Sequence, residues 1–172
     1  MPEPAQVATR RPRSLRDIRD GSFERDGRFR VTATSGDVVA WMNMSADESA
    51  VHITGGWSIT YARQGWSFDV CDRSTLRRVA SFEPARIAVG GRLRVFASGR
   101  ELRLGRRRGV WRLRDPEGVM LACIWHYHPG YGLDFDVTDA FARTAEFTFA
   151  LPLALWIAYE WDRVNHHTYA PH

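Results

Sequence analysis

The residues best suited to chemistry in this sequence are arginines, and they are concentrated in the middle of the chain. All 24 basic side chains are arginine, with no lysine among the 172 residues. A guanidinium group forms paired hydrogen bonds with phosphate or carboxylate oxygens, which an ammonium group cannot do. A bias toward GC-rich codons is an alternative explanation for the absence of lysine, and it implies no function.

The charge of the chain is strongly segregated along the sequence. Residues 73–114 carry thirteen arginines and two acids, whereas residues 115–172 carry two arginines and eight acids. The formal net charge of +4 therefore conceals a strongly basic middle and an acidic final third. Such an asymmetry indicates an anionic partner.

The candidate anion-binding site consists of arginines from this basic segment. Residues two apart on a β-strand share a face, so Arg92 and Arg94 point the same way, as do Arg112 and Arg114. If these strands are neighbours, they form a guanidinium surface for anionic lipid headgroups or another phosphorylated partner. Nucleic acid is a weaker alternative because no nucleic-acid-binding signature is present, and a solvated outer face is the alternative without function. The full set is Arg92, Arg94, Arg103, Arg106, Arg107, Arg108, Arg112 and Arg114.

Two histidines form a weaker, alternative candidate site. His126 and His128 would share one face of a strand. With His52, or with Asp134 and Asp136, they would supply ligands for a metal ion. Such a site would serve a small-ligand carrier or a metal-dependent enzyme that uses the mouth of a barrel, which is the alternative function. The spacing matches no familiar zinc pattern, so a solvated pair is the alternative, and no motif for a catalytic triad or a cofactor is present.

The elements that must position these residues are short β-strands. Between about Ser22 and Val137, apolar and polar residues alternate, as in the segments 29–33, 66–70 and 133–137. Turn-forming clusters of Gly, Asp, Ser and Pro separate these runs. Short alternating runs between frequent turns predict antiparallel strands in a sandwich or barrel.

One pattern of strand, turn and strand occurs three times. Each copy has an aromatic residue followed by alternating positions, a polar turn and an apolar strand, and the copies begin at Phe29, Trp66 and Trp111. The pattern indicates either a true structural repeat or the similarity that any series of hairpins shows.

The pattern changes to helical near the end of the chain. Residues 147–159 are almost all apolar, which predicts a helix over about residues 140–161 with a start or a kink at Pro152. A helix that is apolar on every side is buried in protein or in lipid. A bilayer span needs about 20 residues, so a core helix is favoured, with a short tail anchor as the alternative.

The sequence predicts one domain between two tails. Residues 1–21 are expected to form a disordered basic tail, residues 22–165 the domain and residues 166–172 a polar tail. The first residues contain no apolar run of the secretory type. The chain has only two cysteines, Cys71 and Cys123. These features favour a cytoplasmic location, peripheral to a membrane if the arginines bind lipid.

Repeated strand–turn–strand units followed by one apolar helix resemble the tubby C-terminal-like superfamily, which includes the phospholipid scramblases and the LURP-one-related proteins. Residues 66–70, 110–124 and 133–161 carry the resemblance, which covers residues 22–163. It implies a mainly β fold, a closed antiparallel β-barrel around a hydrophobic C-terminal helix. The cysteine-rich and calcium-binding segments of the scramblases are absent, as is the lysine of the tubby phosphoinositide site. The chain is also short for twelve strands, so the resemblance implies a fold and no site residue.

Overall fold

The fold is a closed antiparallel β-barrel, as the sequence predicted. The computed structural model describes residues 14–26, 28–61, 66–126 and 132–165. Each strand pairs with its neighbours in the chain, and the first strand pairs with the last. The strands are β1 (Asp20–Asp26), β2 (Arg28–Ala33), β3 (Val38–Met44), β4 (Ala50–Ile53), β5 (Trp57–Tyr61), β6 (Phe68–Asp72), β7 (Arg78–Pro84), β8 (Gly90–Val95), β9 (Glu101–Arg107), β10 (Val110–Arg114), β11 (Met120–His126) and β12 (Leu133–Val137).

Twelve strands fit into this short chain because none is longer than seven residues, as in β1, and β4 has only four. The expectation that the chain is short for a twelve-stranded barrel is therefore wrong. Inward-facing residues of each strand are buried and alternate with outward-facing ones, as in β2, where Phe29, Val31 and Ala33 are buried. This alternation is the sheet period of two that the sequence displays.

Two helices follow the strands, and the second forms the core of the barrel. The short helix α1 (Asp139–Ala142) begins at Thr138, whose side chain accepts a hydrogen bond from the Phe141 amide. The long helix α2 (Phe147–Asn165) is buried on every side from residue 149 to residue 159. A barrel of twelve strands leaves a lumen that strand side chains alone do not fill, and α2 occupies it.

Aromatic side chains from several strands pack against α2 around its circumference. The ring centroid of Trp156 lies 5.0 Å from that of Phe29 on β2, and Phe149 lies 5.2 Å from Trp57 on β5. Trp161 lies 6.4 Å from Trp111 on β10. We call the end of the barrel where α2 begins, beside Trp57, the entry end. The opposite end, where α2 finishes beside Trp111, is the exit end.

The three hairpins with the repeated sequence pattern contain the same irregularity. In β2–β3, β6–β7 and β10–β11 the strand register shifts directly after Val31, Val70 and Leu113. In each case one extra apolar residue follows on the second strand, and the residue after it is a buried alanine. A shared bulge indicates a true structural repeat of four strands, since bulges are specific features of a fold. The extra residues are Val39, Val79 and Leu121, and the alanines are Ala40, Ala80 and Ala122.

The boundaries of the domain differ from those expected. A 3₁₀ turn spans Leu15–Asp17, and Leu15 and Ile18 are buried in the core. This turn packs against α2, so the part of the expected tail from residue 14 onward belongs to the domain. Apolar burial of two side chains is the physical reason. Residues 1–13 and the expected tail 166–172 lie outside the described residues.

The C-terminal helical region also differs in detail from the prediction. It is divided between α1 and α2 rather than continuous, and Pro152 lies within α2 instead of at its start. The missing amide hydrogen of proline leaves one carbonyl of the preceding turn without its helical donor. Among the described residues, no helix has the length and apolarity required to cross a membrane.

Candidate functional site

The most distinctive surface of the barrel is the outer face of β8, β9 and β10. Arg92 on β8 lies directly opposite Arg103 on β9, and Arg103 lies directly opposite Arg114 on β10. All three side chains are exposed. Neighbouring strands are about 4.8 Å apart, so this row of three guanidinium groups is roughly 10 Å long. The sequence predicted such a surface if the strands of Arg92 and Arg112 were neighbours. They are not paired directly, because β9 lies between them, and Arg103 on β9 completes the row.

Further arginines extend the row in both directions along the strands. Arg94 is exposed on β8, while Arg107 on β9 and Arg112 on β10 lie toward the exit end. The Arg112 guanidinium donates a hydrogen bond to the Arg107 carbonyl at 3.3 Å. We call the outward set the arginine face; its members are Arg92, Arg94, Arg103, Arg107, Arg112 and Arg114.

In the described chain, two acidic residues lie on or beside the arginine face, against its six arginines. Glu83 on β7 is directly opposite Arg92. Glu101 is 3.3 Å from Arg92 and 3.8 Å from Arg94, so this carboxylate serves two guanidinium groups. Arg103 and Arg114 form no ion pair with any residue that the structure describes. Like charges held opposite each other on neighbouring strands repel, so this face favours the binding of an anion.

The run Arg106-Arg107-Arg108 does not form one cluster, because its three residues lie in different environments. Arg107 belongs to the arginine face. Arg108 occupies the β9–β10 turn with a φ of 51°, followed by Gly109 with a φ of 77°, as a two-residue hairpin turn requires. Arg106 continues the inward phase of Leu102 and Leu104 and faces the lumen. Its inclusion in the anion-binding surface is therefore wrong.

Arg106 instead takes part in a buried cluster at the exit end. The acceptor of this cluster is Asp162 on α2, whose side chain is 1% exposed. Arg106 Nε lies 3.2 Å from Asp162 Oδ1, and Trp111 donates its indole N–H to Oδ2 at 3.3 Å. His126 Nε2 lies 2.5 Å from the same Oδ2. A buried carboxylate requires such partners, and here they fasten α2 to β9, β10 and β11.

The described residues of the predicted metal site do not come together. His126 turns inward and engages Asp162, whereas Asp134 and Asp136 point outward from β12, because they alternate with the buried Leu133 and Phe135. His52 lies on β4, far around the barrel. His128 lies outside the described residues. Within the described part of the chain, no group of three or more His, Cys, Asp or Glu side chains is arranged to hold a metal ion.

The acidic residues of the final third form a separate surface from the arginine face. Asp134 and Asp136 on β12 adjoin Ser22 and Asp20 on β1. Partial burial, together with the negative charges of Glu24 and Asp136, raises the pKa of the Asp134 carboxyl. The barrel thus has a basic side and an acidic side, and the acids do not neutralise the arginine row.

A second buried carboxylate lies at the entry end. Glu146 directly precedes α2, and its carbonyl accepts the first helical hydrogen bonds from Phe149 and Ala150. Its side chain is 9% exposed and pairs with Arg100 at 2.6 Å. Sequence reasoning missed both Glu146 and Asp162, because a charged residue next to an apolar helix is ordinarily solvated. The sequence did contain one signal for a buried acid: Arg106 alternates in step with Leu102 and Leu104, so it faces inward and requires a buried partner.

Comparison with known proteins finds no match: no family model, characterised protein or solved structure is significantly similar to this chain. The barrel and its charged faces are accordingly the basis for any statement about function.

Proposed function

We propose that this protein is a non-enzymatic module that binds the surface of anionic phospholipid membranes through its arginine face. The observation that carries the proposal is the register that places Arg92, Arg103 and Arg114 side by side on three neighbouring strands. Two of these guanidinium groups have no ion-pair partner within the described chain. Phosphate oxygens are suitable acceptors because charge-assisted bonds to arginine are short and strong.

The rigid barrel favours this use of the arginines. Side chains on paired strands are held at a fixed spacing, so bound phosphates need not order a loop first. Each arginine close to an anionic membrane contributes about 1 kcal/mol to binding. The six arginines of the face would together give useful affinity from individually weak contacts.

Exposed apolar side chains beside the arginine face favour a membrane over a nucleic acid. Leu76, Phe96 and Val119 are 82%, 40% and 59% exposed. They lie in or beside the β6–β7, β8–β9 and β10–β11 turns, which are all at the entry end. Apolar tips next to cationic groups suit the boundary between headgroups and acyl chains, whereas a nucleic-acid duplex offers no apolar layer for them.

We also propose that this protein is related to the tubby C-terminal-like superfamily. The twelve-stranded barrel closed around an apolar C-terminal helix supports this relationship, as do the residues that carry the resemblance in the sequence. Membrane binding through the arginine face does not depend on it, since the argument for binding rests on charge and register.

Co-sedimentation with vesicles tests the proposal directly. We expect binding to phosphatidylcholine vesicles that contain phosphatidylserine, weakening as salt rises, and no binding to phosphatidylcholine alone. The triple variant R92Q/R103Q/R114Q should lose most of this binding. The single variant R86Q changes an exposed arginine in the β7–β8 loop, outside the face, and serves as the matched control.

Three outcomes would overturn the proposal. They are equal binding to neutral vesicles, no binding to anionic vesicles at low salt, and full binding by the triple variant. Salt-dependent binding of duplex DNA without vesicle binding would assign the arginine face to nucleic acid. The substitution F96S separates the two, because it should weaken vesicle binding and leave DNA binding unchanged.

A further inference from the structure

A cavity of about 600 Å³ opens at the exit end of the barrel. It lies between α2 and the strands β1, β2, β3 and β5, on the side of the helix away from the Asp162 cluster. The ion pairs of Asp162 hold the end of α2 against β9–β11, and the space remains on the opposite side. This volume is within the range of small-molecule sites.

The buried part of the cavity wall is apolar and aromatic, and its exposed rim is charged and polar. Phe29, Met42 and Trp156 are buried side chains, and Met44 and Tyr61 are partly exposed at its edge. Methionine side chains adapt readily to different apolar ligands. The cavity therefore suits the hydrocarbon body of a ligand.

One buried polar group in the wall lacks a partner. Trp156 is 1% exposed, and its indole N–H forms no hydrogen bond with any described residue. The indole lies close enough to the Tyr61 hydroxyl to affect its ionisation but does not reach hydrogen-bonding geometry. Because an indole N–H is a donor only and its burial without an acceptor is costly, an acceptor oxygen from a ligand is the natural partner.

The Tyr61 hydroxyl is a second donor beside this N–H. Burial and the nearby charge of Glu160 raise the pKa of Tyr61 above its ordinary value, so the hydroxyl stays protonated at neutral pH. Two neutral donors thus lie in the cavity. Both would favour an oxygen atom at the far end of the apolar chain of a ligand.

The mouth of the cavity carries excess positive charge. Arg163 is engaged by Glu160 through two hydrogen bonds of 2.9 and 3.2 Å. Arg25 lies over the Phe29 ring at 5.6 Å, and neither Arg25 nor Arg28 has an ion-pair partner among the side chains that the structure describes. Glu48, which is exposed, is the other acidic residue among those that line the cavity.

We propose that this cavity binds an amphipathic organic acid with an oxygen atom at the far end of its apolar chain, such as an ω-hydroxylated medium-chain fatty acid. The carboxylate would pair with Arg25 and Arg28 at the mouth. The chain would pack on Phe29 and Met42, and its terminal oxygen would accept a hydrogen bond from the Trp156 N–H. This site is separate from the arginine face, so it stands or fails independently of membrane binding.

Titration with ω-hydroxydecanoate tests the proposal by two readouts. Calorimetry measures the affinity for ω-hydroxydecanoate. ¹⁵N NMR follows the indole N–H signals of the seven tryptophans. The variant W156F identifies the Trp156 signal by its absence. We expect that signal to shift on binding, with the same midpoint as calorimetry. Decanoate, which lacks the oxygen, should bind about fivefold more weakly, as loss of one neutral hydrogen bond implies, and neutral decanol at least about tenfold more weakly.

Matched variants make the result decisive. R25Q/R28Q should weaken ω-hydroxydecanoate binding at least about tenfold, and M44W, which places a larger side chain at the exposed edge, should obstruct it. R92Q/R103Q/R114Q and R86Q should bind it unchanged. A Trp156 signal that does not move at saturation, equal binding of decanol, or full affinity in R25Q/R28Q would overturn the proposal.

Discussion

Arg100 directly precedes strand β9 and Arg106 lies near the end of that strand, and the two arginines hold the two ends of the same helix. Arg100 pairs with Glu146 where α2 begins, at 2.6 Å, and Arg106 pairs with Asp162 near its last turn, at 3.2 Å. Both carboxylates are almost fully buried, at 9% and 1% exposure. Because the middle of α2 is apolar, we expect the polar contacts at its two ends, with these ion pairs among them, to set its position along the barrel axis.

The exit-end pair is expected to contribute more stability than the entry-end pair. Asp162→Ala leaves Arg106, His126 and Trp111 without their shared acceptor, and loss of one partner of a buried ion pair costs about 3–5 kcal/mol. Glu146→Ala should cost about 1–3 kcal/mol, because Arg100 can turn toward water. Urea unfolding at neutral pH measures both free energies. Glu117→Ala, in an exposed turn, is the control, and equal stability of the Asp162 and Glu117 variants would contradict the assigned role.

The direction of each arginine predicts its effect on membrane binding. Arg103→Gln and Arg114→Gln should each weaken binding to anionic vesicles about fivefold, since each removes about 1 kcal/mol of attraction. Arg106→Gln should leave that affinity unchanged, because its side chain faces the lumen. Vesicle titrations below the unfolding temperature of each variant decide the matter. A loss at Arg106 equal to that at Arg103 would contradict this assignment and show that Arg106 contributes to the membrane-binding surface.

The structural repeat predicts three equivalent sites of tight packing. Ala40, Ala80 and Ala122 each follow the extra residue of a bulge and are buried. Replacement of any one by leucine should cost about 1–3 kcal/mol by overpacking, with similar values at all three. Ala97→Leu, at an exposed turn, should have little effect. Thermal unfolding compares the four variants, and a cost at only one position would argue against equivalent packing.

The β3–β4 turn is expected to give a specific pH dependence of stability. Asp47 accepts hydrogen bonds from the hydroxyls of Ser45 and Ser49, both at 2.7 Å, and these lower its pKa to about 2. The folded pKa lies below the unfolded value of 3.8, so the stabilisation is present above that value and is lost as pH falls through about 2. Asp47→Ala should therefore be less stable than wild type at about pH 6 and approach it near about pH 2. Urea unfolding at both pH values measures the difference in stability between wild type and Asp47→Ala. A difference that does not change with pH would show that ionisation of Asp47 does not contribute to stability.

The strands were predictable from sequence because one face of each strand packs in the core and the other face contacts water. The lumen holds mainly apolar side chains and the outer face mainly polar ones, so residues such as Phe29, Arg30 and Val31 alternate. The same phase places Arg106 inward with Leu102 and Leu104. Reading that phase through the arginine run would have separated Arg106 from the surface arginines.

The contacts that complete each site were not predictable in the same way. The row of Arg92, Arg103 and Arg114 depends on strand register, which follows from the turn geometry of two successive hairpins. The position of Asp162 depends on how far α2 extends through the lumen. The cavity beside Trp156 depends on the side toward which the helix leans. Each of these is a long-range relationship between segments, and local alternation carries no information about it.

The order of the elements in the chain has a consequence for how this protein is made. The helix that fills the lumen follows all twelve strands, and β1 closes the barrel only by pairing with β12. During synthesis on the ribosome, every strand therefore emerges before α2, the helix that covers its inner face. Contacts between such distant segments form slowly, and uncovered strands with apolar faces are prone to aggregate. Nascent chains of this protein should consequently depend on chaperones until α2 has left the exit tunnel.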